Sequence, residues 1–223
     1  MFLFSGHYGS GKSEIAVNFA LALARKHKTA IVDFDIINTF FRSAGARTIL
    51  EQGGVRVVAP IYANTNVDVP ALPAEISSLF DDKSTKAIFD VGGDSAGAKA
   101  VSRYYADFSD ERVENYFVFN PRRPQTSKVE NIVEYFYEIQ SSARLAFTAL
   151  VNNTNLLDET VEADLLSGLE VAAELSGRLS LPVAFSAFMD RPAEKEPEAF
   201  FSRSESLGIP VFHIAKHIRM DYN

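Results

Sequence analysis

Residues 6–13 read GHYGSGKS, and the spacing G-x-x-x-x-G-K-S is that of a loop built to hold phosphate. Gly6, Gly9 and Gly11 let the backbone curl until several N–H groups point inward at one anion. His7, Tyr8 and Ser10 complete the cradle. A helix opening near Lys12 adds the positive end of its dipole to the same point. The Lys12 ammonium is placed to reach the β- and γ-phosphates, and the Ser13 hydroxyl to bind Mg²⁺.

A polyphosphate held this way needs a carboxylate to steady its Mg²⁺ through water. Asp90 closes the apolar run KAIFD and opens DVGGD, which makes it the first candidate. Gly93, three residues on, can offer a backbone N–H to the γ-phosphate, and loops that order around that group are a common switch. Asp94 reads either as part of that switch or as a helix N-cap. A second acidic pair, Asp33 and Asp35, lies in IVDFDIIN. Side chains two apart on a strand face the same way, so both carboxylates can converge on one site. One would position water for attack and the other support the metal shell. Lys12, Ser13, Asp33, Asp35, Asp90 and Asp94 are the candidates for phosphate, metal and catalysis, and the residues alone leave open which of Asp33 and Asp35 takes the metal and which the water.

Such residues come together only if strands deliver them to one edge of a sheet. Short apolar runs at 1–5, 29–33, 55–59, 86–90, 116–120, 147–151, 182–186 and 211–214 alternate with helical patterns. Most are continuously apolar rather than alternating, as in strands buried on both faces of a parallel sheet. Residues 12–26 are apolar over much of a helical circumference. Val129, Ile132, Val133 and Phe136 repeat with helical spacing, as do Val161, Leu165, Leu169 and Ala172, the latter with Asp158 as expected N-cap. The expectation is an α/β fold: a three-layer, doubly wound, mostly parallel sheet in one domain over 1–223, with right-handed crossovers.

Composition narrows the functions open to this fold. The 223 residues carry a formal charge of −7, which argues against nucleic acid or an anionic membrane as the main partner. There is no cysteine, so disulfides, cysteine-ligated zinc and iron–sulfur clusters are excluded. No secretory leader is visible and no apolar run is long enough to span a bilayer, so a cytoplasmic protein is expected.

GHYGSGKS, then VDFD, then FDVGGD, in this order, resemble the MinD/ParA ATPases of the SIMIBI class of P-loop NTPases. That group includes the nitrogenase iron protein and a nickel-insertion ATPase. VDFDI is similar to the first switch of MinD, and DVGGD to the second switch of the iron protein. The stretch at 119–132, FNPRRPQTSKVENI, resembles the strand–Asn-Pro–helix step of MinD. LVNNTN at 150–155 resembles the strand end that sets an asparagine against the base. The resemblance implies ATP and Mg²⁺ as cofactors, with ADP as product. It gives Asp35 the attacking water, Asp90 the Walker B role, and Asn152 or Asn153 the adenine edge. It further implies a partner protein, unidentified, and assembly as a homodimer. The family carries a second lysine just after the first loop glycine, where this chain has His7.

Two other readings stay open on the same residues: a small-molecule kinase or ATP-dependent ligase, and a nucleotide-binding regulator that does not hydrolyse. For the first, a substrate would sit under residues 60–73 (PIYANTNVDVPALP), held by Arg122 or Arg123. Phe40, Phe41 and Arg42, just past the first acidic pair, read as core or as partner-binding anchors. His213 and His217, four apart, could share a metal on a helix, although 211–214 reads better as a strand.

Overall fold

The computed structural model describes residues 1–34, 47–58, 74–93, 95–109, 112–190 and 197–218. Strands and helices follow in the order β1 (Phe2–Ser5), α1 (Lys12–Ala24), β2 (Thr29–Phe34), α2 (Arg47–Gln52), β3 (Val55–Val58), α3 (Ala74–Asp81), β4 (Lys86–Val91), α4 (Ser95–Ser102) and α5 (Tyr105–Ser109). Then come β5 (Glu114–Phe119), α6 (Val129–Ala143), β6 (Ala149–Asn152), α7 (Glu162–Leu179), β7 (Val183–Met189), α8 (Glu198–Leu207) and β8 (Val211–Ile214). All eight strands expected from the apolar runs are present. They form one sheet in the order β3-β2-β4-β1-β5-β6-β7-β8, and every pairing is parallel.

Strand pleating sorts the apolar side chains into two cores. Phe4, Ile31, Ile88, Val118 and Val151 face Ile15, Ala16, Val17 and Ala20 of α1 and Leu50 of α2. Leu3, Val32, Phe34, Phe89, Val91 and Phe119 face the other way, with residues of the six remaining helices. The chain leaves β1 toward β2 and β3 with helices on one face, and moves through β5 to β8 with helices on the other. That reversal is what right-handed crossovers demand, and it makes β1 the switch point of the sheet.

Aromatic packing stiffens the sheet where the acidic residues emerge. Phe89 meets the rings of Phe108 at 5.1 Å, Phe34 at 5.9 Å and Phe80 at 6.0 Å. Phe89 and Phe34 flank Asp90 and Asp33 in sequence on the opposite face, so the same packing that fills the core fixes the carboxylates' strand ends.

One expected cap moves. Asp158 lies in a 3-10 turn, Leu157–Glu159, and the N-terminus of α7 is capped from within: the N–H of Val161 donates to Asp164 Oδ2 at 3.0 Å. A side chain three residues inside the helix reaches back more directly than one separated from it by an extended step at Thr160.

The segment after β8 is tied to α1. Asn18 Nδ2 donates to the carbonyls of Glu14 and Ala215, both at 2.9 Å, and Asn18 Oδ1 accepts from Ala215 N at 2.9 Å. Glu14 accepts the N–H groups of His217 and Ile218 at 2.6 and 3.1 Å. Asn18→Ala strips both polar atoms of Ala215 of partners at a site 8% exposed. The expected cost is about 2–3 kcal/mol, read as a lower urea midpoint at unchanged slope.

Candidate phosphate-binding site

The strand β1 ends at Ser5, and the next six residues turn the chain into α1. Gly9 and Gly11 take φ of 80° and 82°, a left-handed backbone that costs a side-chain-bearing residue strain. Gly11 is the residue before α1, and its carbonyl accepts the N–H of Ile15 at 3.1 Å, so the first N–H groups of a 13-residue helix open onto the loop. Lys12 and Ser13, at 5% and 4% exposure, are held inside the fold.

The loop is walled by backbone on two sides and by a side chain on a third. A Cβ on Gly6 would lie 2.0 Å from the carbonyl oxygen of Val118 in β5. One on Gly93 would lie 2.8 Å from Tyr8 N and 3.0 Å from Gly6 O, so the turn after β4 rests on the loop itself. One on Gly11 would lie 2.2 Å from Asn153 Nδ2. Gly93 thus lies directly against the glycine-rich loop.

Asp33 and Asp90 stand opposite each other in the β2–β4 register, and Asp90 also stands opposite Phe4 of β1, two residues before Gly6. Both are fully buried. By strand parity they lie on the same face as Ile31, Ile88 and Phe4, the face covered by α1. Two carboxylates and the Ser13 hydroxyl form a hard oxygen set suited to Mg²⁺. The loop also keeps Ser10 Oγ buried with no hydrogen-bond partner, and Gly6 and Gly11 let neighbouring protein atoms approach it more closely than a Cβ would allow. A polyphosphate with its Mg²⁺ fits these residues.

Asp35 and Asp94 lie outside the described residues, as do residues 40–42 and 60–73. His7 packs its ring on Tyr135 of α6, with centroids 4.1 Å apart. Burial pushes its imidazole below the ordinary value, and the charge of Lys12 adds to this. It is neutral at neutral pH, so it supplies no second cation to the loop. Tyr8, at the loop's tip, is 54% exposed.

The two asparagines at the end of β6 separate. Asn152 lies with Leu150 on the face away from α1, donates to Ser186 Oγ at 2.9 Å, and accepts from Thr154 N and Oγ1 at 3.2 and 2.6 Å. Asn153 turns to the loop and donates from Nδ2 to the carbonyl of Ser10 at 2.7 Å. From the segment after β5, Arg123 Nε donates to the carbonyl of Gly9 at 2.9 Å, while Arg122 pairs with Asp164 at 2.9 Å. Sequence spacing gave no sign of these contacts, because the donors lie 114 and 143 residues from the carbonyls they reach.

His213, on β8, sits 2.6 Å from Asp190, and His217 lies beyond the strand. No metal-holding cluster of His, Asp or Glu occurs among the described residues. None of their helices is long and apolar enough to cross a membrane.

This is a P-loop NTPase fold. Solved structures share it. Chloroplast FtsY from Physcomitrella patens superposes with a TM-score of 0.58 at 17% identity, over 90% of this chain and 63% of that one. The cell division protein FtsY from Thermotoga maritima gives 0.58 at 18% identity, over 90% and 66%. The signal recognition particle 54 kDa protein from Aeropyrum pernix K1, in complex with GDP, gives 0.57 at 19% identity, over 93% and 46%. The chain spans about three fifths of the length of the FtsY structures and less than half of the 54 kDa protein. No family model matches the sequence and no curated protein matches it. At these identities the likeness shows the fold alone.

Proposed function

We propose that the chain binds ATP with Mg²⁺, hydrolyses its γ-phosphate, and uses the two nucleotide states to act on a partner protein in the manner of the MinD/ParA ATPases. The observation that carries this is the register of Asp33 and Asp90, side by side and buried on the face of α1, next to the strand that launches the phosphate loop. A P-loop without paired carboxylates at that place is an anion site; with them it is suited to a metal–polyphosphate complex.

Catalysis of this kind is positioning and charge neutralisation, with little covalent work for the protein. Loop N–H groups and Lys12 hold the phosphates. Ser13, Asp33 and Asp90 would hold Mg²⁺, which when bound neutralises charge on the β- and γ-oxygens. Asp35 orients the attacking water. Gly93, already against Tyr8 and Gly6, reports the presence of the γ-phosphate to the segment that follows it. Without a cation at His7, the loop depends on Lys12 alone for its own positive side chain.

The base reading rests on the residues after β6. Thr154 and Asn155 bring a hydroxyl and an amide but no carboxylate. An amide both donates and accepts, which suits adenine. Guanine presents adjacent N–H donors that a carboxylate matches better. GTP is the second reading, because a structural neighbour holds GDP.

The test is titration of ATP, ADP and GTP with and without Mg²⁺, read with molecular mass and phosphate release. Tight binding that needs Mg²⁺, with ATP driving a dimer, is the expected result. Asp35→Ala should keep ATP binding and lose turnover by about 10²-fold or more. Unchanged turnover defeats the role of Asp35. Phosphate transfer only on adding a metabolite points to the kinase or ligase reading, and tight binding without turnover under any partner points to the regulator.

A further inference from the structure

The phosphate loop is held from outside by two long-range side chains. Arg123 Nε grips the carbonyl of Gly9, and Asn153 Nδ2 grips the carbonyl of Ser10. Successive carbonyls on one side of a tight loop are thus both taken by donors from other strands' ends. The peptide unit is planar and trans, so fixing a carbonyl fixes the next residue's N–H in the opposite direction. Tying down Ser10 C=O therefore aims the N–H of Gly11 away from Asn153, toward the open side of the loop. Tying down Gly9 C=O complements the bond that Ser10 N makes to His7 O at 3.0 Å, so that this peptide cannot flip.

The donors are themselves braced. Asn153 is 5% exposed and its own N–H donates to Phe119 O at 2.9 Å. Arg123 follows Arg122, which is anchored to Asp164 at the start of α7. The two segments are joined by Asn120, whose Nδ2 donates to Asn155 O at 2.9 Å and whose Oδ1 accepts from Arg122 N at 3.0 Å. A Cβ on Gly11 would strike Asn153 Nδ2, so the loop and its brace are fitted to each other.

We infer that Asn153 and Arg123 are positioning residues. They hold the carbonyl side of the loop, so that its N–H groups are set for a polyphosphate before one arrives. Asn153 then serves the phosphate end of the ligand rather than the base. The inference rests on the proposed phosphate-binding function and assigns the residues that make it possible. Preorganisation of this kind appears as affinity, because an unbraced loop must be ordered at the expense of binding.

The distinguishing probe is inorganic tripolyphosphate with Mg²⁺, which has the phosphates of ATP and no base. In Asn153→Ala, affinity for ATP and for tripolyphosphate should fall by the same factor, about tenfold, as expected for loss of one buried hydrogen bond. Arg123→Ala should weaken both ligands by about threefold to tenfold, and Arg123→Lys should recover part of the loss, since a lysine can still donate to Gly9 O. The turnover number at saturating ATP should stay within about twofold in all three, with the change confined to KM.

If Asn153→Ala lowers ATP affinity and leaves tripolyphosphate affinity unchanged, Asn153 is a base contact and the inference is overturned. Unchanged affinity for both ligands in Asn153→Ala and Arg123→Ala also overturns it. Arg123 is partly exposed, so Arg123→Ala carries the test if Asn153→Ala does not fold. A wild-type chain that binds neither ligand removes the phosphate-loop reading itself, and the inference with it. A wild-type chain that binds both, with variants that match it, removes the inference alone.

Discussion

Lys12→Ala should reduce affinity for ATP–Mg²⁺ by about 10²-fold and turnover by about 10³-fold, leaving a folded protein. The side chain is the first residue of α1 and is 5% exposed, so its ammonium is not free to be replaced by water or a neighbouring cation. His7 does not stand in, because burial, which remains in the variant, holds its imidazole below the ordinary value. Backbone N–H groups would still bind a phosphate in the variant. The charge that favours the γ-phosphate as it leaves would be gone, so turnover should fall further than binding. Calorimetric titration and phosphate release measure the two effects, and a melting temperature near that of the parent separates them from misfolding. Loss of only a fewfold in both would show that the loop does not hold a triphosphate in the proposed way.

Gly6→Ala should be among the most damaging single methyl additions at the described glycines. The new Cβ would sit 2.0 Å from the carbonyl oxygen of Val118 and 3.0 Å from Ser10 Oγ. Val118 is fully buried near the end of β5, a strand paired to β1 on one side, and stands opposite Val151 of β6 on the other, so it has little room to move. Relief must come from β1 and the loop together, at a cost of about 3 kcal/mol or more. For a chain of this size that lowers the melting temperature by about 6–12 °C. Gly54→Ala is the control. That glycine has a φ of 79°, yet a Cβ there meets nothing within 4 Å, so it should cost only the strain of the left-handed backbone, about 1 kcal/mol. Equal melting temperatures for the two variants would contradict the packing described around Gly6.

The ease with which the sequence could be read follows from how local each signal is. Strands buried on both faces announce themselves as apolar runs, so all eight were legible, with ends within about three residues. The glycine-rich turn was legible because its glycines answer to a local backbone geometry, and Gly9 and Gly11 do adopt positive φ. The pairing of Asp33 with Asp90 needed strand order, which no run of residues states. It follows from β4 inserting between β2 and β1, a choice made by the crossovers. Asn152 and Asn153 were indistinguishable as letters. Strand parity and one extra residue past the end of β6 send them to opposite faces, one to Ser186 and one to the phosphate loop. The shift of the α7 cap from Asp158 to Asp164 has the same character, since both are acidic residues near the same helix start and only the turn between them decides.

β1 is made well before the strands that complete it. β1 needs β4 and β5 beside it, at residues 86–91 and 114–119, and the loop it launches is buttressed from positions 123 and 153. Until residue 153 is made, the glycine-rich stretch must therefore travel without these buttresses and without the means to grip a ligand. A triphosphate in the surrounding solution can draw the chain toward its native form only after that point, because only the assembled site has anything to offer it.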